Sequence, residues 1–353
     1  MWAGGAFGYL SDYLLWWIAL ASVTAHTYCF FRFVGSRKRP RRRLLVGNLL
    51  VGACLLTLVG TIAETYLRFL VVETDSFGVT LTSKRWFKLY PRQNSLLFRD
   101  VEWTPRKPQG VRRIAFVGDS FTYGWGINDE RDRFTNLLQG KFDAQRKDAV
   151  EVMNVAWVAW GTEKELAGIH DVIREYAVDE VVLCYLPNDI EPLLPVTDEF
   201  NPVQPPRTQW INTDGSFLLD FLYHRVAARW RPSVRQYFDW LWDGYENPEI
   251  WHKQQKLLGA IINECRDQGV TLHVALLPFL TTWGDKYQQA AVHAKLRAFL
   301  ELNHVEVVDL LPSIAAQDPK GLIVNAHDPH PNEAAHRLFA DVLWKAFYDT
   351  TGR

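Results

Sequence analysis

The sequence predicts an α/β protein, a doubly wound parallel sheet preceded by a two-helix transmembrane hairpin. Three observations predict it. Two uncharged apolar stretches of membrane length lie within the first 70 residues. Beyond residue 110, short apolar runs alternate with segments of helical spacing. Seven of the 39 basic residues fall between Arg32 and Arg43 with no acid among them, which leaves 32 basic against 40 acidic residues elsewhere. A hydrophobic fraction of 48% excludes a disordered chain, and four cysteines exclude a disulfide-dense scaffold.

The hairpin comes first. Tyr13 to Phe31 holds 19 residues and Leu44 to Ala63 holds 20, none formally charged. A bilayer core about 30 Å thick needs roughly 20 helical residues, so each stretch fits one crossing. Soluble helices rarely stay uncharged that long. A cleaved signal peptide is disfavoured for the first stretch, because no Lys or Arg precedes it and no small-residue cleavage site follows. The basic run 32–43 between the stretches reads as a cytoplasmic loop by the positive-inside rule, and not as a nucleic-acid patch. Both hairpin ends then face outward. In a bacterium this predicts an inner-membrane protein whose remaining chain lies in the periplasm or outside the cell.

The expected organisation is a hairpin over 1–72, a membrane-proximal connector over 73–110 and a catalytic domain over 111–353. Strands are expected at Arg113–Val117, Val150–Trp157, Glu180–Tyr185, Thr271–Leu277 and Val305–Leu310. Helices are expected at Asp132–Arg146, Thr162–Ala177 behind a Thr cap, Glu249–Asp267, Tyr287–Leu302 and Asn332–Phe347. Apolar strands joined by helical crossovers call for a parallel sheet covered on both faces, with its site beyond the strands' carboxyl ends. Residues 191–248, rich in Pro and then in aromatics and Arg, break the alternation as an insertion. They suit a substrate wall, a membrane-facing surface or a packed helical flap.

Chemistry concentrates at the strand ends. Ser120 follows the first strand directly, where a strand-to-helix turn presents its hydroxyl. His330, in HDPHPN, precedes the last helix on an expected loop and is the candidate base. Asp328 stands two residues earlier and can hold its Nδ1 proton. Asn188 ends the third strand and can donate to an oxyanion, as can backbone N–H groups near Ala159 and at Ser120. His336 and His327 are bystanders. No CxxC, Cys/His metal spacing or dinucleotide fingerprint occurs, so no cofactor or metal is expected.

These residues resemble the SGNH or GDSL hydrolases. Gly118-Asp119-Ser120 is similar to the family's first block, Asn154 to Thr162 to the second, Pro187-Asn188-Asp189 to the third and HDPHPN to the last. The resemblance covers about residues 111–350. It implies a flavodoxin-like SGNH hydrolase fold with Ser120 as nucleophile and His330 as base. It places Ala159 where the family has an oxyanion Gly, and Asn188 as side-chain donor. The family usually has Asp three residues before this His, whereas Asp328 is two before. The implied chemistry is acyl transfer on an ester of a glycan or lipid. An esterase is the first expectation. An O-acyltransferase working beside a multi-spanning membrane protein, as in alginate and peptidoglycan O-acetylation, is the second. A non-catalytic accessory subunit of a membrane complex is the third. The bilayer is an expected partner and nucleic acid is not.

Overall fold

The structure is a computed structural model that describes residues 10–34, 40–145, 149–197, 200–202, 214–227, 230–280 and 290–349. The chain divides into two compact units. One comprises residues 1–89 and 205–231, the other 90–204 and 232–353.

In the first unit, helix α1 (Leu10–Cys29) packs along α2 (Pro40–Phe69). The apolar segments Leu10–Phe33 and Arg41–Phe69 have mean hydropathies of 1.4 and 2.1 and are long enough to cross a membrane. No residue of α1 is buried. Arg37, Lys38 and Arg39 of the basic run lie outside the described residues, while Arg41, Arg42 and Arg43 sit in the first turn of α2. Helix α3 (Leu81–Leu89) follows.

The end of α2 carries a buried ion pair. Arg68 Nε donates to Glu64 at 2.8 Å, and neither side chain is more than 1% exposed. The Glu64 carboxylate also accepts from Ser216 Oγ at 2.8 Å and from the N–H groups of Phe217 at 3.1 Å and Leu218 at 2.8 Å. It thereby closes the N-terminus of a short helix of this unit, which α2 and α3 contact and which spans Phe217–Leu222. Arg68 passes a second N–H to the Gly215 carbonyl at 2.8 Å. The guanidinium groups of Arg68 and Arg85 lie 4.9 and 4.6 Å from the Phe217 ring centroid. This part of the insertion therefore belongs with the hairpin by its own hydrogen bonds, while residues 191–204 and 232–248 belong to the second unit.

The second unit is the expected doubly wound sheet. Its strands are β1 (Val111–Gly118), β2 (Ala149–Ala156), β3 (Glu180–Tyr185), β4 (Thr271–Leu276) and β5 (Glu306–Asp309), all parallel, in the order β2-β1-β3-β4-β5. Phe116 pairs with Asn154 on one side and Val182 on the other, and is fully buried. After β1 come α4 (Ser120–Tyr123) and α5 (Phe134–Gln145); α6 (Thr162–Tyr176) links β2 to β3. The short helix of the first unit is α7 in chain order. Helices α8 (Pro232–Arg235), α9 (Tyr237–Glu246) and α10 (Pro248–Asp267) precede β4. Helix α11 (Ala290–Leu302) links β4 to β5, and α12 (Leu311–Ile314) precedes α13 (Glu333–Leu343). Helix α5 packs on α13, and α6 on α10. The connection β1 to β2 runs opposite to those from β2 through β5, so crossovers of one hand place α5 and α13 on one face and the other crossover helices on the opposite face. Apolar residues such as Ile114, Phe116, Val181, Leu183 and Val274, each fully buried or nearly so, fill the space between the layers.

Helix bounds differ from expectation where side chains supply the cap. The expected Thr cap of α6 is displaced by one residue: Gly161 is the N-cap and Thr162 the first helical residue. Asn332 caps α13 by accepting from Ala334 N–H at 3.0 Å and Ala335 N–H at 3.1 Å.

Replacing Glu64 with Ala leaves Arg68 buried without its carboxylate partner and removes the acceptor of the Phe217 and Leu218 N–H groups, with only the Ser216 cap of α7 remaining. The expected cost is about 3–5 kcal/mol to the local structure. Limited proteolysis checks it. Cleavage within 205–231 should accelerate in Glu64→Ala, and an unchanged rate there contradicts the role given to this pair.

Candidate active site

Ser120 stands at the carboxyl end of β1, as the first residue of α4. Asp119 before it is the N-cap. Its fully buried carboxyl accepts from Phe121 N–H at 2.9 Å and from Ser120 Oγ at 3.3 Å. A four-residue helix has little stability of its own, so this cap fixes where the serine points. The far side of α4 is tied to β2, where Asn154 donates from Nδ2 to the Thr122 carbonyl at 2.7 Å and to Thr135 Oγ1 at 3.0 Å.

The structure brings Ser120, His330 and Asp328 together. His330 Nε2 lies 2.9 Å from Ser120 Oγ, and His330 Nδ1 is hydrogen-bonded to Asp328 Oδ1. His330 is on a strand and not on the expected loop. Strands β6 (Ile323–Asn325) and β7 (Asp328–Pro331) form a small antiparallel pair. In a strand, residues two apart face the same side. The two-residue spacing from Asp328 to His330 therefore suits this backbone, and the His330 N–H also donates to Asp328 Oδ1 at 3.2 Å. Asp328 is fully buried, while Ser120 and His330 each keep 9% exposure. Phe121 and Trp125 flank the imidazole at centroid distances of 5.5 and 6.3 Å.

Ala159 lies beyond β2 in a turn closed by Trp160 N–H to the Trp157 carbonyl at 3.3 Å. Its φ is +58°, the left-handed region that favours glycine. Asn188 is half-buried in the 3-10 turn after β3 and donates from Nδ2 to Asp119 Oδ2 at 3.4 Å. Asp119 is accordingly a meeting point of the turns that follow β1 and β3. Burial pushes its carboxyl above the ordinary Asp value, opposed by the Phe121 N–H, the His330 charge and the Asn188 and Ser120 hydrogen bonds.

Sequence reasoning missed Asp119 as a structural partner, although an Asp directly ahead of a helix start is a recognisable capping signal. It also missed the aromatic walls and the fully buried Glu165, whose carboxyl oxygens meet no hydrogen-bond partner. His336 faces the core. Its Nδ1 accepts the Phe134 N–H at 3.2 Å and its ring stacks on Phe134. Burial lowers its pKa to about 3, so it stays neutral. His327 donates its backbone N–H to Asn325 Oδ1 at 2.8 Å, within the β6–β7 connection. Among the described residues, no group of three or more His, Cys, Asp or Glu side chains is arranged to hold a metal ion.

The Ala159 backbone yields a prediction. The expected stability order at this position is Gly at or above Ala, and Ala above Val by about 1 kcal/mol or more, because a β-branched side chain is a steric outlier at positive φ. Melting temperatures of Ala159→Gly and Ala159→Val check this. A valine variant as stable as wild type contradicts the assigned conformation.

Several solved structures are similar to this chain. TesA has 16% identity and a TM-score of 0.44, covering 67% of this chain and 98% of its own. The psychrotrophic esterase EstA from Pseudoalteromonas sp. has 14% identity and a TM-score of 0.43, covering 69% and 100%. A member of the lipolytic G-D-S-L family from Veillonella parvula has 17% identity and a TM-score of 0.41, covering 68% and 99%. No curated protein matches the chain in sequence. A family model described as GDSL-like lipase/acylhydrolase matches residues 116–338. That match runs from within β1 into α13 and spans well over half the chain, and on this ground the chain belongs to the GDSL-like lipase/acylhydrolase family of serine hydrolases.

Proposed function

We propose that the chain is a membrane-anchored, extracytoplasmic esterase that removes acyl groups from glycan or lipid esters through an acyl-enzyme on Ser120. The observation that carries this reading is the continuous hydrogen-bonded line from Asp328 through His330 to Ser120 Oγ, 2.9 Å from the imidazole Nε2. Asp328 holds the proton on Nδ1, which leaves Nε2 free to accept. Ser120 Oγ attacks the ester carbonyl as its proton passes to Nε2. A C–Oγ bond forms and the carbonyl oxygen becomes an oxyanion. The N–H groups of Ser120 and Ala159 and the Asn188 amide are its proposed donors. The imidazolium then protonates the departing alkoxide as the ester C–O bond breaks. Water, giving its proton to Nε2, attacks the acyl-enzyme and releases the acid, and Ser120 recovers its proton.

The two apolar helices and the cationic segment between them support an anchor whose loop is cytoplasmic. A reporter fused after Arg353 should be active only outside the cytoplasm, and cytoplasmic activity of that fusion overturns the topology.

The chemistry is tested on the full chain in detergent. Turnover of p-nitrophenyl acetate should fall to background in Ser120→Ala. Asp328→Asn should lower kcat by about 10³–10⁴-fold by presenting the wrong imidazole tautomer. Wild-type protein that neither turns over the ester nor is labelled at Ser120 by a fluorophosphonate sinks the proposal. Added glycan acceptors that accelerate deacylation and become acylated identify a transferase in place of an esterase.

A further inference from the structure

The turn that carries Asn188 is held by two chains of hydrogen bonds, and both begin at one side chain. Gln254 lies in α10 and is fully buried. Its Nε2 lies 2.9 Å from Tyr185 Oη and 2.6 Å from Thr162 Oγ1. Tyr185 Oη lies 2.6 Å from Tyr245 Oη, which donates to the Pro187 carbonyl at 2.8 Å. Thr162 Oγ1 donates to the Asp189 carbonyl at 3.4 Å. The two chains therefore end on the carbonyls of the residues directly before and after Asn188.

Those ends fix the direction of every bond. A carbonyl only accepts, so Tyr245 and Thr162 spend their single hydroxyl protons on Pro187 and Asp189. Tyr185 must then donate to Tyr245, and the oxygens of Tyr185 and Thr162 must accept. Their common donor is the Gln254 amide, whose two N–H groups serve one chain each. The amide keeps this orientation although its Oε1 meets no donor among the described residues. Tyr185 ends β3, Tyr245 belongs to α9 and Thr162 opens α6, so the chains tie all three elements and α10 to the turn. None of the three is more than 1% exposed, so water does not compete for these bonds. Burial pushes both phenols well above the ordinary Tyr value, and each keeps the proton it donates. The turn also has little room to shift, since a Cβ on Gly161 would meet the Asp189 carbonyl oxygen at 2.7 Å. On its other side one N–H of the Asn188 amide reaches Asp119 Oδ2 at 3.4 Å, which leaves the second for a ligand.

We propose that Gln254 is a positioning residue, which holds the Asn188 amide where the oxyanion forms by tying down the carbonyls on both sides of it. The proposal rests on the function given above. The Pro187 carbonyl shares a rigid peptide plane with the Asn188 N–H, so fixing it restricts the direction in which the Asn188 side chain leaves the backbone. A buried carbonyl that loses its donor turns toward another, and the amide moves with it. An oxyanion donor displaced by about 1 Å still lines the site but no longer meets the charge that develops in the transition state. The loss then falls on kcat and leaves KM nearly unchanged.

The test uses the full chain in detergent. Asn188→Ala should lower kcat by about 10²–10³-fold, as expected for one oxyanion donor. Gln254→Leu and Tyr245→Phe should each lower kcat by about 10-fold, and by no more than Asn188→Ala does, with KM nearly unchanged. Both effects should vanish where Asn188→Ala is already present, because nothing then remains to be positioned. A residue that only supports the fold lowers the rate by the same factor in both backgrounds, and that result overturns the proposal. Gln254→Leu or Asn188→Ala at the wild-type kcat overturns it as well. If Gln254→Leu does not fold, Tyr245→Phe decides, since it removes a single oxygen. Failure of the enzymatic reading is separate: it would leave Ser120 unlabelled by a fluorophosphonate in wild type, whereas failure of this proposal alone leaves wild type labelled and the losses multiplicative.

Discussion

Strand β1 lies between β2 and β3, so the chain leaves the sheet in opposite directions on its two sides. That reversal opens a crevice at the carboxyl ends of β1 and β3, the switch point of a doubly wound sheet. The candidate site residues that follow the first three strands are delivered there by short connections. Ser120 is two residues beyond β1, Asn188 three beyond β3, and Ala159 three beyond β2. The register fixes their common level, because Gly118 pairs with both Ala156 and Cys184. Only the histidine and its aspartate come from far along the chain, and they come on β7, whose strand geometry turns both side chains the same way.

The crevice is electrostatically unusual. Asp119, Glu165, Asp189 and Asp328 are all buried around it. Burying a carboxylate without a cation is costly, and the chain answers in different ways. Asp119 collects N–H and O–H donors. Asp328 faces the imidazole. Asp189 accepts the Leu186 N–H, and the Glu165 oxygens meet no hydrogen-bond donor. Two buried cations of this unit serve the segment after α4: Arg99 donates to the carbonyls of Gly124 and Ile127 at 2.6 Å each, and Arg133 donates to the Arg99 carbonyl. They hold the segment that carries Trp125 against His330, but do not neutralise the acids. A site with this balance resists a second negative charge, so an oxyanion there depends on neutral donors held rigidly in place.

The sheet was legible because buried parallel strands read as apolar runs; Glu180–Tyr185 is bounded as expected, and the other four strands shift by a few residues. Ser120, His330 and Asn188 were legible because strand ends and helix starts are marked by Gly, Pro, Asn and Asp. What escaped was pairing across the fold. Thr162 looked like a helix cap, yet its hydroxyl accepts from Gln254 at 2.6 Å and leaves the capping position to Gly161. Glu165, one turn later, resembles a surface acid in the sequence, and only the closeness of α6 to the Asn188 turn explains its burial. Residues 217–222 read as part of one insertion, because periodicity reports an apolar face and not which unit covers it. The positive φ of Ala159 is invisible in an alanine.

One device recurs in both units. Short helices are unstable alone because ordering the first turn costs more than its single hydrogen bond returns. Here buried carboxylates fix them. Asp119 closes α4, Glu64 closes α7 from a different helix, and Asp220 of α7 accepts the Leu81 N–H at 2.8 Å at the start of α3. Burial raises the Asp220 carboxyl to about 7. Each such anchor converts a marginal turn into a fixed one, and each does so only while its carboxyl keeps its partners. The positions of Ser120 and of the segment after α2 therefore rest on the same interaction, a buried acid at a helix N-terminus. Long helices such as α10 need no such anchor from another element, since their buried apolar faces suffice. At α4 and α7, each shorter than two turns, a buried carboxylate thus supplies the fixed orientation that the helix itself is too short to give.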